Sequence, residues 1–185
     1  MKLKTAIALA AVLSMLGASA MADSVDYTRS QISFVSRQMN VPVDGRFGKF
    51  TAQVAYDPKK PTASKAQIEV DLGSVDTGSS EADVEVGKKS WFNIASFPSA
   101  KFVSSSVKSV AQGKLEVKGN FSIKGISREV TFPVTVRTAG GSSTFEGAFP
   151  LLRLQYKIGE GIWSDTETVA DEVQVRFRIV TTGNK

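Results

Sequence analysis

The alternation of apolar and polar residues along many short segments most constrains what this chain can fold into. In residues 65–72, 114–123 and 173–179, nearly every second side chain is apolar and the residues between them are mostly polar. Such a segment has one apolar and one polar face, which is typical of a half-buried strand in an antiparallel sheet. Weaker versions of the pattern predict further strands at residues 32–34, 50–56, 102–104, 130–136, 145–149 and 152–156.

Turn-forming residues separate the predicted strands. The sequence Lys124-Gly125 predicts a tight hairpin, residues 139–142 contain two glycines and predict another reversal, and Asp57-Pro58 ends a strand. Roughly eight or nine short strands in one domain favour a sandwich or a closed barrel. A closed barrel has no exposed edges, and an interior of about eight strands holds either packed side chains or one ligand.

Residues 73–98 lack the alternation. Ser80 is a candidate N-cap with Asp83 three positions later, which predicts a short helix that runs to about Ser90. Aromatic residues follow the helix, with Trp91 and Phe92 adjacent in the sequence. These aromatics either plug one end of a barrel or form a lid over a cavity.

The N-terminal residues 1–22 have the pattern of a secretory signal peptide. Lys2 and Lys4 precede an apolar run at residues 6–16, which is shorter than the roughly 20 residues of a membrane-spanning helix. Small residues then lead to a predicted cleavage site before Asp23. Residues 23–185 are therefore expected to form one exported domain.

The composition excludes most common kinds of catalytic site, because the chain contains no Cys and no His. Thiolate nucleophiles, Ser-His-Asp triads and metal sites with Cys or His ligands are excluded, so neither catalytic residues nor metal ligands are predicted. The net charge of +5 is not concentrated in a basic cluster, which argues against nucleic acid as a partner.

Several short motifs occur in an order that is similar to the YceI-like family. They are Gly45–Phe47, Ser74–Gly78, Asp83, Trp91–Asn93, Phe97–Pro98, Phe102–Ser104, Gly119–Val130, Ile158–Gly159 and Gly161–Asp165. The resemblance implies an all-β, eight-stranded antiparallel lipocalin-like barrel with one short helix or lid. It also implies an exported protein whose apolar channel holds an isoprenoid or similar lipid chain, without an established enzymatic activity.

The chain departs from the family pattern at polar positions. The family often has His where Gln38 stands, and Arg-Asp-x-His where this chain has Ala82-Asp83-Val84-Glu85. Only Asp83 is kept, so the head group of the ligand is expected to differ. The candidate head-group residues are Gln38, Asp83, Arg153 and Lys157.

Eleven phenylalanines provide a large apolar surface. The alternation of apolar and polar residues fits a solid core and a ligand channel equally well. The resemblance favours the channel. Its candidate lining residues are Phe34, Phe50, Val54, Ile68, Val70, Trp91, Phe92, Phe102, Leu115, Val117, Phe121, Phe132, Val134, Phe145, Phe149, Tyr156, Trp163 and Phe177.

The main hypothesis is a soluble lipid-binding protein of the bacterial periplasm, a monomer or homodimer with transient membrane contact. No cofactor is expected other than a bound isoprenoid-type lipid, of which an isoprenoid quinone is one example. The first alternative is a small outer-membrane β-barrel, although three Tyr and two Trp are few for aromatic girdles. The second is a hydrolase or isomerase that uses paired carboxylates, with Asp76 and Asp83 as the nominated pair.

Overall fold

The alternating segments form one antiparallel sheet in the computed structural model, which describes residues 23–183. The predicted signal peptide lies outside these residues. The strands are β1 (Ser24–Val25), β2 (Gln31–Gln38), β3 (Val41–Phe47), β4 (Phe50–Ala55), β5 (Lys65–Asp71), β6 (Val75–Asp76), β7 (Ser99–Ala111), β8 (Lys114–Ile123), β9 (Ile126–Ala139), β10 (Ser142–Leu152) and β11 (Glu172–Thr182). The one α-helix of the described residues, α1, spans Ser80–Gly87.

The sheet curls so that its two sides approach each other. Its order is β4-β5-β7-β8-β9-β10-β11-β2-β3-β6, and β1 pairs with β11 beside this path. Just before β1, Asp23 forms an antiparallel bridge with Val54 of β4, so the N-terminal segment spans the gap between β11 and β4. At the other end, the amide of Gly48 donates to the carbonyl of Ser74. The result is a lipocalin-like barrel that is incompletely closed by strand pairing.

The all-β barrel prediction is confirmed, but the number of strands was wrong: eleven are present in the described residues instead of eight. β1 and β6 have two residues each, which is too short for an alternating pattern. β3 contains Pro42, Asp44 and Gly45, residues that are rare in strands. Pairing with β2 at seven positions makes β3 a strand despite this composition.

The predicted strand at residues 152–156 is absent. β10 ends at Leu152, and Arg153–Tyr156 form a 3-10 helix followed by Lys157 in the left-handed conformation. The hydrogen bonds of the Arg153 side chain, described below, turn the backbone away from the sheet at this point.

The two predicted hairpins are present. Ile123 pairs with Ile126 across Lys124 and Gly125, which both have positive φ angles, as a two-residue hairpin turn requires. Gly140 and Gly141 likewise have positive φ angles between β9 and β10.

The predicted helix is also present, with corrections at both ends, since it ends at Gly87 and not at about Ser90. Ser79, not Ser80, is the N-cap, and its side chain accepts a hydrogen bond from the amide of Ala82. Asp83 accepts hydrogen bonds from the amide and the hydroxyl of Thr77, at 2.8 and 2.7 Å, and so ties α1 to the preceding loop. No residue of α1 is fully buried, so the helix covers the barrel end without forming part of its core.

Three phenylalanines lie flat against glycines of neighbouring strands. Phe34 on β2 faces Gly45 on β3, and Phe177 on β11 faces Gly147 on β10. Phe102 on β7 lies against Gly119 on β8 in the same way. In each pair the ring occupies the position that a Cβ would need, so these rings pack along the wall of the barrel.

Candidate functional site

The interior of the barrel contains two adjoining cavities. The first, here called the inner chamber, has a volume of about 900 Å³ with open solvent included, and it is lined mainly by the inward faces of the strands β4, β5 and β7–β11. Its polar lining residues are Ser64, Lys65 and Lys101, together with the phenol of Tyr56. All its other lining residues are apolar, as expected for a site that binds an apolar chain.

The second cavity, the outer chamber, has a volume of about 1880 Å³ with the solvent at its opening included. It lies between β2, β3, α1 and the segment 151–169. Its lining includes the exposed residues Gln38, Ser79 and Glu81, so the chamber opens to solvent beside them. We call this opening the mouth.

The two chambers adjoin each other, because five apolar residues line both of them, and together we call them the channel. These residues are Ile32, Val70, Ala100, Phe121 and Val175. They belong to five different strands and surround the junction of the chambers. Only these apolar side chains lie where the two chambers meet, so the apolar surface of the lining is continuous from one chamber to the other.

Sixteen of the eighteen candidate lining residues lie on the channel. The inner chamber is lined by Val54, Ile68, Val70, Phe102, Leu115, Val117, Phe121, Phe132, Val134, Phe145, Phe149 and Phe177. The outer chamber adds Phe34, Trp91, Phe92 and Trp163. Phe50 lies outside both linings and packs edge-on against Tyr27, and Tyr156 packs behind the wall against Phe121.

The candidate list omitted several lining residues that alternation could have supplied. Ile32, Val175 and Ile179 lie on the apolar faces of β2 and β11. The polar residues at the mouth, Ser36, Thr77, Ser79, Glu81 and Glu85, had no such signal, because they lie at strand ends or in the segment without alternation.

Arg153 lines the outer chamber but has no N–H left for a ligand. The residue is 1% exposed, and its guanidinium donates to five backbone carbonyl oxygens. The acceptors belong to Ile158, Gly159, Trp163, Val169 and Ala170. Because a guanidinium has five N–H groups, this network uses all of them. Arg153 thus holds the segment 158–170 in place and was wrongly nominated as a head-group ligand.

Burial lowers the pKa of Arg153 from its ordinary value, and the nearby carboxylate of Asp171 opposes this shift. An arginine stays protonated at neutral pH, so a positive charge lies beside the outer chamber. The guanidinium carbon lies 5.7 Å from the ring centroid of Trp91, within the range of a cation–π contact.

Two tryptophans and Glu85 connect α1 to the far side of the mouth. The rings of Trp91 and Trp163 are 5.5 Å apart, and Nε1 of Trp163 donates to Oε1 of Glu85 at 3.1 Å. We call this hydrogen bond the mouth latch. Hydrogen bonding to Lys88 is the main reason that the pKa of Glu85 is lowered, and the bond from Trp163 acts in the same direction.

Of the other three head-group candidates, one lines the outer chamber and two do not. Gln38 lies on the lining at the mouth. Asp83 is engaged by Thr77 and is not a lining residue. Lys157 is exposed and outside the lining, with its carbonyl accepting a hydrogen bond from Lys124.

The nominated carboxylate pair does not converge on a cavity. Asp76 forms an ion pair with Arg46 at 2.8 Å, whereas Asp83 binds Thr77, and neither carboxylate lines a chamber. Within residues 23–183, acidic side chains form no group that could hold a metal ion. The same residues contain no helix with the length and hydropathy needed to cross a membrane.

Comparison with known proteins fits this geometry. A family model described as a YceI-like domain matches residues 24–181. The chain belongs to the YceI-like family. The UPF0312 protein of Azotobacter vinelandii is 31% identical over 133 residues, which are 70% of this chain and 69% of that protein. The UPF0312 protein of Shewanella sp. (strain ANA-3) is 37% identical over 86 residues, so the match spans only 45% of that curated relative.

Two solved structures share the fold. BcnA of Burkholderia cenocepacia superposes with a TM-score of 0.84 and 43% identity, over 86% of this chain and 100% of that chain. A polyisoprenoid-binding domain from Saccharophagus degradans has a TM-score of 0.72 and 20% identity, over 89% of this chain and 99% of that chain. The second likeness, at this low identity, concerns the fold.

Proposed function

We propose that this YceI-like protein binds a long isoprenoid or similar apolar chain inside the barrel and carries or stores it in the bacterial periplasm. The observation that carries the proposal is the pair of adjoining chambers, whose shared lining is apolar. Each CH₂ group that moves from water into such a lining contributes about 0.8 kcal/mol. Chain burial alone therefore supplies strong binding, and no catalytic step is needed.

Two further observations support the proposal. A domain of the same fold from Saccharophagus degradans is described as polyisoprenoid-binding. The signal-peptide pattern of residues 1–22 supports export to the periplasm. An apolar chain in that compartment is surrounded by water and needs a protein that shields it.

The mouth favours an uncharged head group over a phosphate. The outer chamber is lined by the carboxylates Glu81 and Glu85, while its one basic lining residue is Arg153, whose N–H groups are all occupied. A phosphate would lie near these carboxylates, of which Glu85 is already paired with Lys88, and it would find no free cationic donor in the lining, which is unfavourable. The side-chain amide of Gln38 can instead donate a hydrogen bond to a carbonyl, so an isoprenoid quinone is the preferred ligand class.

The test is a titration of the purified exported protein with prenyl lipids of equal chain length that differ in their head group. A quinone head is expected to bind at least as tightly as a diphosphate head, and affinity is expected to fall when the chain is shortened. Native mass spectrometry of lipids that co-purify from the protein's own cells identifies the natural ligand. If only the diphosphate lipid binds, or if affinity is independent of chain length, the proposal is wrong.

Lys157→Ala is the matched control for the head group. Lys157 is a cation near the same end of the barrel but lies outside the channel lining. Its replacement is expected to change the affinity by less than about tenfold, or ~1.4 kcal/mol. A complete loss of binding would show that a cation controls recognition.

A further inference from the structure

Exposed apolar side chains surround the mouth of the channel. Met39 and Val41 are 71% and 62% exposed in the β2–β3 turn, Val84 is 68% exposed on α1, and Ile162 is 83% exposed in the 3-10 helix Gly161–Ser164. Each of these segments also contributes residues to the outer chamber. We call these four side chains the mouth rim.

Hydrogen bonds join the rim segments into one continuous arc. The amide of Met39 donates to the carbonyl of Thr168 at 2.9 Å, and Gln38 forms an antiparallel bridge with Val169. On the other side, the mouth latch joins Trp163 to Glu85 on α1. The exposed rim is therefore held beside the opening, next to the polar mouth residues Gln38 and Glu81.

We propose that the mouth rim docks on the surface of a lipid bilayer, so that the apolar ligand passes between membrane and channel without crossing water. This inference rests on the proposed function. Exposed apolar clusters mark interaction sites, and apolar side chains that enter the interface between head groups and acyl chains attach proteins to membranes. A rim around the mouth of a lipid channel is the position at which such contact serves transfer.

A bilayer fits the rim better than a second copy of the chain. A stable protein interface uses roughly 20–30 residues on each side, whereas the rim has four apolar side chains arranged around an opening. Charges of both signs flank the rim, including Lys88, Lys89, Glu81 and Glu167. Attachment is therefore expected to depend on apolar insertion and to change little with salt, unlike an electrostatic contact.

The test is flotation of the purified exported protein with vesicles of zwitterionic phosphatidylcholine. The variant Val84→Asp/Ile162→Asp places two charges on the rim and is expected to reduce the vesicle-bound fraction by about tenfold or more. The matched control is Val103→Asp/Val110→Asp, which makes the same changes at exposed positions of β7. The control is expected to float like the wild type. All four positions are exposed, and circular dichroism verifies that both variants fold.

A second arm separates docking from ligand binding. A prenyl quinone is delivered from cyclodextrin in the absence of vesicles, and the rim variant is expected to bind it with wild-type affinity. If wild type binds the quinone from cyclodextrin but does not float with vesicles, or if the rim variant floats as well as wild type, docking is wrong and the proposed function stands. If wild type floats but binds no prenyl chain, the proposed function is wrong and the docking surface stands. A dimer in sedimentation that the rim variant abolishes would assign the rim to a second copy.

Discussion

The two chambers share five lining residues, yet their walls are held in different ways. The inner chamber is enclosed by long strand pairs, of which β8 and β9 are in register from Lys114–Thr135 to Ile123–Ile126. The outer chamber is enclosed on one side by α1 and the segment 158–170, which are held by one isolated bridge, a few backbone hydrogen bonds and side-chain hydrogen bonds. Backbone ladders thus hold the wall of the inner chamber, whereas isolated hydrogen bonds, many of them from side chains, hold the mouth.

This difference has a consequence for stability. In a strand ladder the hydrogen bonds are distributed along the backbone, so the loss of one bond leaves the others in place. The segment 158–170 instead depends on one guanidinium for five of its contacts. The outer chamber should therefore open locally at a lower free energy than the inner chamber, as expected for a region that admits a ligand.

The largest effect is expected for Arg153→Met, which removes the guanidinium that holds the mouth. Five buried carbonyls lose their donor, and we expect the free energy of unfolding to fall by about 3 to 5 kcal/mol. Urea denaturation followed by fluorescence measures the loss. Arg176→Met at an exposed position of β11 is the matched control, with an expected change within about 0.5 kcal/mol. Equal stabilities of the two variants would contradict the structural role of Arg153.

The next effect is expected for Val117→Trp, which obstructs the inner chamber while leaving the mouth intact. Val117 is buried on the inward face of β8, so the indole extends into the channel. The affinity for a long prenyl chain should fall by about 100-fold, or ~2.7 kcal/mol, and a chain short enough for the outer chamber should bind as before. Titrations with chains of two lengths measure both values.

Val103→Trp is the control for this substitution, because Val103 lies at an exposed position of neighbouring β7. It should leave both affinities unchanged. If Val117→Trp weakens short and long chains equally, the two chambers do not act as successive parts of one channel.

The smallest effect is expected for Trp163→Phe, which removes the mouth latch. Without the donor to Glu85, α1 should exchange its amide hydrogens a few-fold faster, while β8 stays protected. Trp91→Phe is the matched control, since Nε1 of Trp91 has no hydrogen-bond partner among the described residues. Equal exchange of α1 in the two variants would show that the latch does not hold the helix.

Glu85 also predicts a dependence on pH, because its hydrogen bond with Lys88 and, to a lesser degree, that with Trp163 lower the pKa of its carboxyl. The lowered pKa of Glu85 means that its ionised form is stabilised in the folded protein. This contribution is present above the ordinary value of 4.5 and is lost as the pH falls through the lowered pKa. The exchange of α1 in wild type should therefore approach that of Trp163→Phe in acid.

The alternation of apolar and polar residues predicted the strands that have one buried face and one solvent-exposed face. β5, β8 and β11 were predicted on this basis and are present. β3 was missed because its composition is poor for a strand and only its pairing with β2 stabilises it. The segment after Leu152 was misassigned because its apolar residues alternate, while the contacts that turn it come from distant carbonyls.

The apolar part of the site followed from the same pattern, whereas the polar part did not. Inward-facing positions of regular strands are set by period two, so most lining residues could be listed in advance. The role of Arg153 depends on acceptors up to seventeen residues away, and the spacing of charges does not reveal it. Whether the interior is a solid core or a channel depends on how the phenylalanine rings pack. The alternation of apolar and polar residues does not predict this packing.

The phenylalanines that lie against glycines explain why a chain so rich in aromatic residues encloses free space. At Gly45 the three atoms nearest to an added methyl group belong to the ring of Phe34, so alanine at this position would push that ring towards the lumen. A single Gly→Ala substitution in the wall is therefore expected to change the diameter of the channel. Relatives with a larger residue at these glycines are expected to bind ligands of different cross-section in the same barrel. Ligand selectivity can therefore change through single substitutions in the wall.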